Sequence, residues 1–231
     1  MKVYKFGGAS VRNADGVRNL AHIVDGESDL FIIVSAMGKT TNALERVFTH
    51  MQNGRKEEAN EEIKQVQDYH AAIIDDLWGE PTNINEVTLL FGQLRNIVND
   101  IVYRQSDAEL WYDTIVAYGE LISTTIISKY LSHIGMRNRW IDMRTTLLTN
   151  QRHKDANVDI KASKHRLRAS IENTGVGVFV GQGFIGGAPD GTTTTLGREG
   201  SDYSAAVVAH ILNAESMSVW KDVDGVLNAD P

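Results

Sequence analysis

The run Leu30-Phe31-Ile32-Ile33-Val34 constrains this chain more than any other stretch. A strand with one wet face alternates polar and apolar residues. An unbroken apolar run belongs instead to a strand covered on both faces, as in parallel sheets flanked by helices. The preceding segments agree. Residues 1–6 alternate and then meet Gly7-Gly8, the pattern of a short strand ending in a tight loop. Residues 11–25 place Val17, Leu20, Ala21 and Val24 on one helical face. The three together form a βαβ unit, whose crossover should be right-handed.

The same alternation continues along the chain. Apolar periodicity predicts helices over residues 41–53, 57–78 and 86–105, a block of about residues 41–105 that is charged outside and apolar inside. This block reads as packing or oligomer surface. Further helices are expected over 117–133, 158–173 and 204–212, and strands over 136–141, 176–180 and from 218. Residues 181–202 read as a polar loop. The fold class is therefore α/β, with a mostly parallel sheet covered on both faces.

A length of 231 residues suits one large α/β domain or two small ones. The net charge of −7 speaks against a nucleic-acid partner, which calls for a basic face. It permits a nucleotide ligand, because phosphate sites need only a few local donors. With no cysteine, disulfides and thiolate metal sites are excluded. The N-terminus lacks a signal-peptide core, and no apolar stretch is long enough to span a membrane. A cytoplasmic location is the expectation. The chain stops at Asn228-Ala229-Asp230-Pro231, soon after an expected strand, so the natural polypeptide is expected to continue.

Two short motifs mislead. Gly38-Lys39-Thr40 resembles the end of a P-loop, but Ile33 stands where the first glycine is required. Gly181-Gln182-Gly183-Phe184-Ile185-Gly186 matches a dinucleotide fingerprint, yet Gly187-Ala188-Pro189-Asp190-Gly191 cannot open the helix that fingerprint needs. Those glycines read better as a tight loop that brings backbone amides close to a ligand. The seven histidines are scattered without metal-ligand spacing.

Chemistry concentrates in segments placed at strand ends and helix starts, where open α/β sheets bind ligands. Lys5, beside Gly7 and Gly8, offers a cation and bare amides for a transferred phosphate. Alone it reads equally as a solvated lysine near a turn. Ser35 through Asn42 and Lys221 through Gly225 are similarly placed. In the segment from Gly191 to Asp202, four threonines, Arg198 and two acids precede an apolar helix, which suits an anion at a helix N-terminus. Arg198 can fork onto a carboxylate, while Ser201 and Asp202 also serve as helix caps.

Taken in order, these segments resemble the aspartokinases. Lys5-Phe6-Gly7-Gly8-Ala9-Ser10 is similar to the family's K-F-G-G-[TS]-S opening, residues 192–202 to its T-T-L-G-R-G-G-S-D segment, and residues 220–231 to its D-V-[DP]-G…[AT]-D-P run. The resemblance spans nearly the whole chain and implies a three-layer αβα sandwich, the amino-acid kinase fold. It implies transfer of phosphate from ATP, with Mg²⁺, to the β-carboxylate of L-aspartate, and one catalytic domain over residues 1–231. Lys5 is implied to bind the phosphates and Asp202 to hold that lysine or the metal shell, with no direct protein ligand to the metal. Ser35, Thr41, Glu120, Arg198 and Ser201 are implied in the aspartate pocket, Arg198 on a carboxylate and Glu120 on the ammonium. Gly7, Gly8, Ala9, Ser10, Lys221, Asp222 and Asp230 are implied around the nucleotide.

Three departures stand out. Ala9 replaces a common Thr, Glu199 a common Gly, and Leu227 a frequent Tyr. Family members usually continue into regulatory ACT modules, some also into a homoserine dehydrogenase, and a homodimer is implied for the full-length protein. Two other readings stay open: a kinase of this fold acting on another acid, and a non-catalytic nucleotide-binding domain.

Overall fold

A computed structural model of the protein describes residues 1–221. Its central sheet contains β1 (Lys2–Phe6), β2 (Leu30–Val34), β3 (Arg139–Ile141), β4 (Val178–Gln182) and β7 (Ser216–Trp220). They lie in the order β3-β4-β2-β1-β7, and every neighbouring pair is parallel. β2, in the middle, is buried at every residue, as its unbroken apolar run requires.

Because side chains alternate across a strand, the sheet divides its own apolar residues between two cores. Leu30, Ile32 and Val34 face one core with Phe6, Val178 and Val180, and Val3, Phe31, Ile33 and Phe179 face the other. The first core is closed by α1 (Ala14–Val24), α2 (Thr40–Gln52), α3 (Lys56–Trp78), α4 (Asn85–Asp100), α5 (Ala108–Val116) and α6 (Tyr118–His133). The second is closed by α8 (Ile160–Ile171) and α9 (Gly200–Leu212), with the short α7 (Met143–Thr146) beside them. This is the expected αβα sandwich.

Local signals set the element ends. The Asn13 side chain accepts the Gly16 amide at 2.9 Å and starts α1. Gly79, at φ 75°, closes α3 in the left-handed conformation that glycine adopts without strain. α6 is buried on almost every face because it lies between the sheet and the outer helices.

Three expectations need correction. The helix expected over residues 86–105 ends at Asp100, and α5 follows as a separate helix. Its stripe is interrupted by a buried acid, Asp113, so periodicity alone does not reveal it. The polar loop expected over residues 181–202 contains an antiparallel hairpin, β5 (Ile185–Gly187) and β6 (Thr193–Thr195), which is largely buried. Gly187 approaches the Arg144 carbonyl so closely that a Cβ would sit 1.9 Å from its oxygen, so close packing rather than apolar alternation places this hairpin. Finally, α9 begins at Gly200. Ser201 and Asp202 thus lie in its first turn rather than capping it, and the capping position is held by Glu199 at φ 56°.

Candidate active site

The loops leaving the carboxyl ends of β1, β2 and β4 converge with the start of α9 on a cavity of about 340 Å³. Close backbone approach makes the convergence possible. Gly8 donates nothing bulkier than hydrogen toward the β2 loop: a Cβ there would lie 2.4 Å from the Ala36 carbonyl oxygen. The Gly38 amide donates to the Gly8 carbonyl at 2.9 Å, with Gly38 at φ 56°. Gly183 packs directly on Ser201, where a Cβ would meet Oγ at 2.6 Å.

Lys5 is the penultimate residue of β1, so its side chain emerges beside the sheet edge, and it is only 6% exposed. Its Nζ lies 2.6 Å from Oδ1 of Asp202, in the first turn of α9. The other carboxylate oxygen lies 3.5 Å from Nζ of Lys221, just past β7. Partial burial pushes the Asp202 carboxyl up, but the two ammonium groups outweigh it and hold the acid below its ordinary value. Two cations thus share one anion, leaving positive charge for a ligand.

Across the cavity stands Glu120, in the first turn of α6 and 2% exposed. Its Oε1 accepts the Ala36 amide at 3.0 Å. Its Oε2 is buried and has no hydrogen-bond partner among the described residues. Burial pushes this carboxyl up to about 8, against the opposing pull of the Ala36 amide and of Lys5. A buried acceptor left open at a cavity wall is a place for a donor carried by a ligand. Ser123, one turn further along α6, donates to the Ser35 carbonyl at 2.9 Å and ties the β2 loop to the same helix.

Of the residues singled out in the sequence, Lys5, Gly8, Ser35, Thr41, Glu120, Ser201 and Asp202 line this cavity together. Others do not. Arg198 is exposed and is not among the lining residues, because the chain turns at Gly197 (φ 74°) and Glu199 before entering α9. The Gly7 amide is taken by the Trp220 carbonyl at 3.3 Å, and the Ser10 hydroxyl donates to the same oxygen at 3.2 Å. Both therefore tie β1 to β7 instead of offering free donors, and Ala9 opens a 3-10 turn with Ser10. The fingerprint glycines also differ from expectation. Gly181 lies within β4 and the Gly183 amide is satisfied by the Val34 carbonyl at 2.9 Å, so they serve close packing. Asp222, Leu227 and Asp230 lie outside the described residues.

The sequence of the whole chain, residues 1–231, matches the profile of the Amino acid kinase family. The chain belongs to that family. Among relatives within it, the lysine-sensitive aspartokinase 3 of Escherichia coli (strain K12) is 32% identical over 231 residues, covering 99% of this chain and 50% of its own length. A chloroplastic bifunctional aspartokinase/homoserine dehydrogenase 2 of Arabidopsis thaliana is 29% identical over 99% of this chain and 26% of its own. The crystal structure of E. coli aspartokinase III with aspartate and ADP, in the R state, superposes with a TM-score of 0.85 at 30% identity, over 97% of this chain and 50% of that one. The chain thus spans about half the length of the E. coli relatives it matches.

The cavity also holds Ala36, Gly38, Phe184, Gly197, Glu199 and Gly200, which lie in the segments singled out in the sequence but were given no individual role in the site. Phe184 and Glu199 both adopt left-handed backbone, at φ 68° and 56°. A bulky residue there carries strain, and such strain concentrates at ligand sites. Glu199 also adds a third acid to the wall beside Glu120 and Asp202. Its sequence signal was visible, an acid where the family commonly has Gly, but not its direction.

Proposed function

We propose that the chain is the catalytic domain of an aspartate kinase, converting ATP and L-aspartate to ADP and 4-phospho-L-aspartate. One observation carries the reading: a buried carboxyl at Glu120 with one oxygen unpartnered shares one small cavity with a cation-flanked acid, the Lys5–Asp202 pair. The first suits a substrate ammonium, the second a transferring phosphoryl group. The likeness to aspartokinases supplies aspartate as the amino acid.

The chemistry asks little covalent work of the protein. A β-carboxylate oxygen of aspartate attacks the γ-phosphorus, a new P–O bond forms, and the bond from the γ-phosphorus to the β,γ-bridging oxygen breaks with its electrons leaving on ADP. No proton has to be removed from the attacking group, so positioning and charge neutralisation supply the rate. Lys5 neutralises the phosphoryl oxygens, and Asp202 holds the Lys5 ammonium in place. Glu120 anchors the ammonium, while Ser35, Thr41 and Ser201 line the remainder of the amino-acid pocket. Lys221 approaches the nucleotide end. Mg²⁺ bound with the nucleotide would supply further neutralisation of the phosphates, with Asp202 the acid that would hold its water shell. Arg198 must swing in from the surface to grip a carboxylate. The reaction would be the first step toward lysine, threonine and methionine, in the cytoplasm, with a homodimer as the assembly of the full protein.

A panel of acidic amino acids with coupled ADP detection, joined to hydroxylamine trapping of the acyl phosphate, tests the reading. Aspartate-dependent ADP release with a trapped hydroxamate is expected. Phosphorylation of glutamate but not aspartate, or of neither, overturns it.

A further inference from the structure

Asp113 is a fully buried acid on α5 that lies outside the cavity and has no part in the chemistry above. Its carboxylate gathers donors from two other parts of the chain. From β6, the Thr195 amide reaches Oδ2 at 3.0 Å and the Thr195 hydroxyl reaches Oδ1 at 2.6 Å. From the turn before α8, the Lys154 amide reaches Oδ2 at 2.9 Å and Oδ1 at 3.1 Å, and His153 Nδ1 lies 2.9 Å from Oδ2. Lys154 takes φ 66° to present that amide, a left-handed backbone the surrounding bonds must hold.

What these bonds connect matters. α5 runs through Ala117, in helical conformation, straight into α6 and Glu120. Thr195 leads directly to Leu196 and Gly197, then to Glu199, Gly200, Ser201 and Asp202 on the cavity wall. The turn at 153–156 braces the same strand: the Ala156 amide donates to the Thr195 carbonyl at 2.9 Å, and a Cβ on Gly197 would lie 3.1 Å from Asp155 Oδ1. The carboxylate therefore sits at the junction between the Glu120 helix and the Asp202 loop.

We propose that Asp113 is a positioning residue that sets the distance between the ammonium site at Glu120 and the phosphoryl site at Lys5 and Asp202. It does so only as a carboxylate. Thr195, Lys154 and His153 all point N–H or O–H groups at the two oxygens, with the His153 ring as Nδ1–H, so an amide in its place would turn a donor against a donor. Buried donors left without an acceptor push the hairpin and the turn away. The loop they carry then loses register with α6, and a misplacement of about 1 Å can cost about a hundredfold in rate.

This inference rests on the aspartate-kinase reading for its kinetic arm, and the test separates the two. Asp113→Asn is compared with wild type by steady-state kinetics and by hydrogen exchange of the 195–203 and 153–156 segments. Thr195→Val, which keeps shape and removes one donor, serves as the milder variant should Asp113→Asn fail to fold. Both variants are expected to lower kcat/KM for aspartate, by about a hundredfold for Asp113→Asn and less for Thr195→Val, with the aspartate KM raised and the ATP KM within about twofold. Exchange should quicken in both segments and stay unchanged in α1. Unchanged aspartate KM in a folded variant overturns the proposal, as does an equal rise in both KM values. If wild type shows no aspartate turnover, the functional reading falls, and exchange alone judges the junction: unaltered protection at 195–203 in both variants overturns it.

Discussion

At the scale of single residues, the site depends on how burial is set against charge. Lys5 is almost fully enclosed, and its ammonium is kept in place by Asp202 at 2.6 Å. Lys5→Ala is expected to lower kcat for aspartate phosphorylation by at least about a hundredfold, the scale of one lost charge-stabilising contact in a closed site. Turnover near wild type refutes its role. Glu120 makes a second prediction, about pH. Its folded carboxyl titrates near 8, raised first of all by burial. Below that pH the ligand-free residue holds a proton, and an incoming ammonium needs the carboxylate, so binding must release the proton. Aspartate affinity should climb by up to about tenfold per unit as pH rises toward 8 and then level off. Calorimetry at neutral pH in buffers of different ionisation enthalpy should read about one proton released, and none with Glu120→Gln. A flat affinity between about pH 6 and 8 contradicts this.

Lys5, Asp202 and the segment from Ser35 to Asn42 were legible in the sequence because small and charged residues cluster at strand ends and helix starts, whereas the pocket roles of Ser35, Thr41 and Glu120 came only from the resemblance to the aspartokinases. The direction of Arg198 was not legible, since a forked cation in a glycine-rich turn can point either way. Asp113 was invisible for the opposite reason: an isolated acid inside an apolar helix carries no motif, and only its partners from residues 153–154 and 195 give it meaning.

At the scale of elements, the helical block shows how periodicity succeeds and where it stops. α2 and α3 lie close to their expected positions, and α4 starts where expected, because each has a clean apolar face against one core. Within α3, His70 is fully buried, its Nδ1 donates to the Val66 carbonyl at 2.7 Å, and its Nε2 has no partner among the described residues. Burial lowers its titration from 6.5 to about 4. The unfolded chain therefore takes up this proton at a higher pH than the folded one. The stability that neutral His70 preserves is complete above about pH 6.5 and is lost as pH falls toward 4. Urea unfolding of His70→Leu should show a flatter pH dependence than wild type across that window. Parallel curves for the two proteins refute the assignment.

At the scale of the whole molecule, the cavity exists only where separate layers meet: β1 and the loop after β2 supply Lys5 and Ser35, one helical layer supplies Glu120, and the other supplies Ser201 and Asp202. A ligand bound there holds those layers in the native arrangement and has no counterpart site in the unfolded chain. L-Aspartate at a hundred times its Kd should raise the unfolding free energy by about 2.7 kcal/mol. Chemical denaturation with and without aspartate reads that gain, and an unshifted midpoint would refute binding to this cavity.

The sequence by itself determined the parallel α/β architecture, because a run such as Leu30-Phe31-Ile32-Ile33-Val34 is tolerable only between two covered faces. It also determined the helical block and the segments from which the site is drawn, since those follow from local periodicity and composition. Only the tertiary structure decided the hairpin within residues 185–195, the start of α9 at Gly200, the outward Arg198 and the junction at Asp113. Each of these depends on contacts between residues far apart in the chain, where close backbone approach and buried hydrogen bonds outweigh the local pattern.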